Sequence, residues 1–189
     1  MGVIMSRLYL RFPKPEDKKI VLDFKEEFLK SGQKVAGFSG LDKMDFDEWF
    51  EKLNKDLTKE TCGENRVPAT HFLTFRKEDE KLVGMVQVRH ELNEYLLNFG
   101  GHIGDCVRPS EQGKGYATEQ IGLALDFCKG LGIKKVLITC KKDNIASART
   151  IIKNGGVLEN EIENPAENNV IMQRYWINTK VKRFLIEVK

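Results

Sequence analysis

Val107-Arg108-Pro109-Ser110-Glu111-Gln112-Gly113-Lys114-Gly115-Tyr116-Ala117-Thr118 joins an apolar segment, His102–Val107, to a long amphipathic one that runs to about Leu131. Two glycines one residue apart stand at the join, with a lysine between them. Glycine suits a backbone that must turn sharply or approach a ligand closely. A helix that begins just after such a turn offers unpaired N–H groups and the positive end of its dipole. Gln112–Thr118 is therefore expected to cradle an anion, with a phosphate-bearing ligand as the natural occupant.

Two common phosphate loops do not fit. A Walker A loop needs GxxxxGK followed by Ser or Thr, but Lys114 precedes Gly115 and position 108 is Arg. A dinucleotide fingerprint needs GxGxxG at an early strand, but the sixth position is Thr118 and the unit lies halfway along the chain.

Working outward, the pattern predicts an ordered set of elements. Leu8–Phe12 reads as a strand stopped by Pro13 and Pro15. Ile20, Val21, Phe24, Phe28 and Leu29 repeat at helical spacing within Asp17–Lys30, and Phe46, Trp49, Phe50, Leu53 and Leu57 do so in a second helix. Thr70–Phe75 and Leu82–Val88 flank a charged turn and predict a hairpin. Glu91–Phe99 fits either a short helix or an irregular loop. After the quoted stretch, Ala117, Ile121, Ala124, Cys128 and Leu131 mark the clearest helix, followed by an apolar strand at Val136–Cys140. That strand–helix–strand order calls for a parallel pair with a right-handed crossover. Asn144 is placed to cap a helix running to Asn154, which Gly155-Gly156 closes. Val157–Ile162 and Val170–Ile177 suggest a last hairpin around Asn164-Pro165, and the basic tail Lys180–Lys189 is a candidate edge strand.

The chain has 189 residues, 41% of them hydrophobic and 31% charged, enough for one α/β domain with its own core and no metal or disulfide staple. A net charge of +3 is too mild to argue for nucleic acid, and no apolar run reaches the length of a membrane span. Cys62, Cys106, Cys128 and Cys140 lack metal-binding spacing and are expected to be reduced thiols of a cytoplasmic protein. Met1–Ser6 is too short for a secretion signal, and its loose match to a myristoylation pattern is read as coincidence.

Gln112-Gly113-Lys114-Gly115-Tyr116-Ala117 resembles motif A of the GNAT superfamily of N-acetyltransferases, [RQ]-x-x-G-x-[GA], and Val107-Arg108-Pro109 resembles the usual approach to it. Asn144-Ile145-Ala146-Ser147-Ala148-Arg149, closed by Asn154-Gly155, is similar to motif B. The run HELN…GGHIG and Arg174-Tyr175-Trp176-Ile177 look like a bacterial branch of predicted acetyltransferases. The resemblance covers Arg7 to Ile177, so residues 1–189 are expected to form one domain with its core at about 7–177 and a tail at 178–189.

The resemblance implies a mixed, mostly antiparallel sheet of six to seven strands with a central splayed parallel pair, flanked by helices. It implies acetyl-CoA as co-substrate, no metal, and a small-molecule or peptide amine as acceptor, with a homodimer allowed. The pyrophosphate would lie on Gly113, Lys114, Gly115, Tyr116, Ala117 and Thr118, with Gln112 at the loop's start. The pantetheine arm would pair with Cys106 and Val107, and Asn144 and Ser147 would contact it near the sulfur. Transfer to an amine needs a base, because an ammonium cannot attack. His102 and Asp105 are the leading candidates, then His90 and Glu91. His102 and Asp105 have opposite parity, so on a regular strand only one faces the cleft. The chain departs from many relatives in lacking a Tyr between Asn144 and Gly156, which leaves Tyr175, Tyr116 or water to protonate the thiolate. A CoA-binding sensor or scaffold without turnover is the competing expectation. Acidic residues of the substrate-side segments (Asp42, Asp45, Asp47, Glu48, Glu159, Glu161, Glu163, Glu167) read mainly as solvated surface.

Overall fold

The computed structural model describes residues 6–33, 37 and 39–180. Seven strands and four α-helices alternate along it. β1 (Leu8–Arg11) is followed by α1 (Lys18–Ser31), α2 (Phe46–Lys55), and the strands β2 (Ala69–Arg76), β3 (Lys81–Arg89) and β4 (Ile103–Val107). Then come α3 (Tyr116–Gly130), β5 (Lys135–Lys141), α4 (Ile145–Lys153), β6 (Val157–Asn164) and β7 (Val170–Asn178). The segment left open between helix and loop, Glu91–Phe99, bends at Glu91, becomes helical at Glu94 and Tyr95 and runs into a short π-helix at Leu96–Gly100. The tail beyond Lys180 and the first five residues lie outside the described residues.

The strands form two antiparallel sheets, β1-β2-β3-β4 and β5-β7-β6. The central pair β4 and β5 carries no ladder. At their starts the two strands are clasped: the His102 N–H donates to Leu137 O at 2.7 Å, and the Leu137 N–H donates to His102 Nδ1 at 3.0 Å. Beyond the clasp they part, as expected of a splayed pair, and leave β4 with an unpaired edge.

Alternation along the strands sends residues to two cores. α1 and α2 bury Val21, Phe24, Phe28, Phe46, Trp49 and Leu53 against Leu73, Phe75 and Met85 on one face of the first sheet. α3 buries Ile121, Ala124, Leu125 and Cys128 against Phe72, Val86, Val88 and Ile103 on the other. With both faces covered, β2 and β3 are buried almost throughout. Cys62, Cys128 and Cys140 are buried, Cys106 is partly exposed, and all four are free.

Local chemistry ends each helix as the pattern requires. Asp45 Oδ1 accepts the Glu48 N–H at 2.9 Å to start α2, and Gly32 in the left-handed region stops α1. Asn144 Oδ1 accepts the Ser147 N–H at 3.1 Å and so caps α4.

Candidate active site

Where β4 and β5 part, a cleft of about 550 Å³ opens between α3, α4 and the end of α1. Its floor is Asp105, Cys106 and Val107 of β4. One wall is the loop and first turn of α3 (Gln112, Gly113, Gly115, Tyr116, Ala117 and Thr118). The facing wall is α4, with Asn144, Ser147, Arg149, Thr150 and Lys153, and Phe28 and Gln33 close the α1 side.

The loop has the geometry its sequence called for. Gly113 and Gly115 have φ of 77° and 84°, so both need a residue without a Cβ for conformational reasons. Gly115 is the N-cap of α3 and no side chain caps that helix. The first turn thus lines the cleft with no side chain capping its N–H groups, the arrangement that fits a phosphate.

The Lys114 ammonium is paired with a carboxylate. Its Nζ lies 2.8 Å from Glu111 Oε2, and Glu111 also holds Lys81 Nζ at 2.6 Å and Arg76 Nη1 at 2.9 Å. Burial disfavours the Glu111 carboxylate, but these cations outweigh it and hold its pKa down at about 2. Arg7 braces the same loop: its Nη2 donates to Lys114 O at 3.1 Å, and its guanidinium lies 4.7 Å above the Tyr116 ring.

The two candidate bases sit in different surroundings. Asp105 faces α3, where Gln120 Nε2 donates to its Oδ2 at 3.3 Å. Burial pushes the Asp105 pKa up to about 6, against the opposing effect of that Gln120 bond. His102 lies outside the cleft lining and is 7% exposed. Its Nδ1 is occupied by the Leu137 N–H, and burial, with the nearby Arg89 cation, lowers its pKa to about 4. His90 Nε2 pairs with Thr70 Oγ1 at 2.8 Å and Glu91 with Lys59, both away from the cleft.

Of the candidate proton donors, Tyr175 is buried and donates to Gln173 Oε1 at 2.8 Å. Tyr116 lines the cleft, with its hydroxyl accepting from Arg76 Nη1 at 3.1 Å.

Gln120 is a site residue that motif reading did not single out. It is fully buried, and its Nε2 also reaches Met85 O at 3.2 Å and Cys106 O at 3.3 Å. Gly84 makes room for it, since a Cβ there would lie 2.1 Å from Gln120 Oε1. The only advance signal was a long polar side chain on the apolar side of a helix. Gln112 holds the next carbonyl, donating to Val107 O at 3.1 Å, and bonds Gln33 of the α1 end at 2.8 Å.

The α1–α2 connection is tied to the same strand. A Cβ at Gly37 would lie 2.9 Å from both Asp105 Cα and Gly104 O. Ser39 Oγ is 2.7 Å from His71 Nδ1, and His71 Nε2 is 3.3 Å from the buried carboxylate of Asp56. Several acidic residues of α2 and of the β6–β7 hairpin are matched by cations: Glu159 by Arg174, Glu161 by Lys142, Glu167 by Lys141 and Asp47 by Lys18.

The family model "Acetyltransferase (GNAT) domain" matches residues 7–157. The chain belongs to the GNAT acetyltransferases. Solved GNAT structures share its fold at low identity. A spermidine N-acetyltransferase SpeG chimera from Vibrio cholerae and hSSAT is 20% identical, with a TM-score of 0.64 over 93% of this chain and 97% of that one. A putative ribosomal-protein-serine acetyltransferase from Vibrio cholerae is 20% identical, with a TM-score of 0.66 over 93% and 96%. The Microcin C7 self immunity acetyltransferase MccE, in complex with acetyl-CoA and AMP, is 19% identical, with a TM-score of 0.68 over 91% and 92%. No curated protein matches the chain. Among the described residues no helix of this GNAT protein is long and apolar enough to cross a membrane, and no group of three His, Cys, Asp or Glu is placed to hold a metal ion.

Proposed function

We propose that this GNAT protein transfers the acetyl group of acetyl-CoA to a primary amine of a small molecule or peptide. One observation carries the reading: the cleft that opens where β4 and β5 part has an uncapped helix start at one wall and the carboxyl of Asp105 at its floor. The first suits a pyrophosphate, and the second suits an ammonium that must lose its proton.

In this reading the amides of Gly113 and Gly115–Thr118 hold the pyrophosphate, and the open edge of β4 at Cys106 and Val107 pairs with the pantetheine arm as an added strand would. Asp105, with its pKa raised toward neutrality, takes the ammonium proton, directly or through one water. The freed nitrogen attacks the thioester carbonyl, and the C–N bond forms. A β4 backbone N–H stabilises the oxyanion. Collapse then breaks the C–S bond. The second proton of the attacking nitrogen passes through water to the thiolate, with the Ser147 hydroxyl, on the cleft wall beside Cys140, placed to hold that water. The products are the N-acetyl amine and CoA, and Asp105 returns its proton to solvent. His102, bound at Nδ1 and outside the cleft lining, supports the strand clasp better than the base role.

Isothermal titration with acetyl-CoA, followed by CoA release across a panel of primary amines, tests the reading. Absence of binding overturns it. Binding without turnover on any amine favours the alternative, a CoA-binding sensor or scaffold. The engagement of Tyr116 and Tyr175 elsewhere, with no Tyr in α4, is the observation on that side.

A further inference from the structure

Seven of the eight arginines among the described residues place their guanidinium on a named acceptor: Arg7, Arg11, Arg66, Arg76, Arg89, Arg108 and Arg174. The eighth is Arg149. It has no hydrogen bond or ion pair with another described residue, and neither has Lys153, one turn further along α4. Both line the cleft, and with Lys114 held by Glu111 they are the cationic residues of its lining among the described residues.

Their position along α4 says which part of a ligand they meet. Asn144 and Ser147 stand at the helix start, beside the reacting end. Lys153 lies about 9 Å further along, at 1.5 Å per residue. There the next residue, Asn154, is pinned to the first turn of α3, its Nδ2 donating to Thr118 O at 3.0 Å. The two cations thus flank the phosphate cradle. The uncapped amides of that cradle suit a pyrophosphate, each of whose phosphates carries about one charge. A phosphomonoester carries −1.5 to −2 and is matched best by charge-assisted bonds from arginine or lysine.

We infer that Arg149 and Lys153 bind the ribose 3′-phosphate of CoA, and that through them the protein selects CoA and acetyl-CoA over their dephospho forms. The inference rests on the acetyl-CoA reading above. The test is calorimetric binding of CoA and of dephospho-CoA to wild type and to the double variant Arg149→Ala/Lys153→Ala. Both positions are exposed, so the variant is expected to melt like wild type. Wild type should prefer CoA about tenfold or more, and the variant should lose that preference while binding dephospho-CoA as before. Adenosine 3′,5′-bisphosphate against AMP, which differ by the 3′-phosphate alone, should reproduce the gap without the arm. A wild type that does not distinguish the two CoA forms overturns the inference and leaves the acetyl-CoA reading standing. So does a variant that loses both equally, which would place the cations on the pyrophosphate. A wild type that binds neither form overturns the acetyl-CoA reading, and the inference with it.

Discussion

Gln120 Nε2 stands 3.3 Å from Asp105 Oδ2, so the carboxyl at the cleft floor is steered by an amide from the fully buried face of α3. Burial raises the Asp105 pKa to about 6 and this bond lowers it. The carboxyl should therefore titrate near 6 when followed by carbon NMR. Gln120→Leu should move that titration to higher pH. On any amine that is turned over, the acidic limb of kcat/KM should move with it. A limb near 6 that ignores both Asp105→Asn and Gln120→Leu would remove Asp105 from the base role.

The raised Asp105 pKa also has a stability consequence. The folded state holds this proton more tightly than the unfolded state, in which an aspartate titrates near 3.9. Asp105 therefore costs stability above about pH 6 and costs none below about pH 4. Asp105→Asn should raise Tm at pH 7.5, by an amount equivalent to on the order of 1–2 kcal/mol, and give no advantage at pH 4. Melts at the two pH values check this. A variant less stable than wild type at pH 7.5 would contradict it.

His102 should behave as a clasp. Its folded pKa, about 4, is below the unfolded value near 6.5, so its contribution is fully present above pH 6.5 and fades as pH falls toward 4. Replacing it with Ala leaves the buried Leu137 N–H without an acceptor, at a cost of about 1–3 kcal/mol at pH 7.5. The difference between wild type and variant should shrink at pH 4.5. A constant difference across that range would show that the imidazole does not titrate as described.

Glu111→Gln should be among the more damaging single changes, because it leaves Arg76, Lys81 and Lys114 facing one another around a buried neutral amide. Breaking a buried charge cluster in this way costs about 3–5 kcal/mol. The Glu111 pKa is depressed to about 2, so its contribution is present above the unfolded value near 4.3 and is lost as pH falls toward 2. Denaturant melts at pH 7 and pH 3 should show the gap to the variant narrowing in acid. Released Lys114 would also be free to reach the cleft, so CoA affinity need not fall in step with stability.

Gly115→Ala tests the loop itself. At φ of 84° an added Cβ costs about 1–2 kcal/mol. The nearest atom to that Cβ is Arg7 Nη2 at 3.7 Å, so space is not the obstacle. The melt should fall by an amount equivalent to that cost, and CoA affinity should drop roughly tenfold as the loop relaxes away from the conformation that presents its amides. An unchanged Kd would show that the left-handed turn is not needed for the ligand.

The parts of this molecule that were legible in the sequence are those set by neighbours in the chain. The glycine turn before Tyr116, the Asn144 cap and the hairpin around Asn164-Pro165 are all local rules, and each has its expected form. What was hidden depends on pairs far apart in sequence. Leu137 claims the His102 ring across 35 residues, and Gln120 reaches Asp105 across 15. Glu111 takes Lys114, three residues away, only because β2 and β3 bring Arg76 and Lys81 to the same carboxylate. Arg149 and Lys153 become cleft residues through the packing of α4 on α3. Periodicity says which face of a helix is buried. It does not say which partner the polar side chains on its rim will find.

The His102–Leu137 clasp has a mechanical consequence. Two sheets that meet edge to edge through one backbone bond and one ring nitrogen resemble a hinge pinned at one end, held otherwise by α3, α4 and the bonds of Thr139 and Arg174 to Phe99 O and Leu97 O just before the pin. A ligand lying along the open edge of β4 would act as the missing rung on the far side of that pin. Amide exchange in β5 and β7 should then slow with ligand concentration as steeply as exchange in the loop that touches the phosphates.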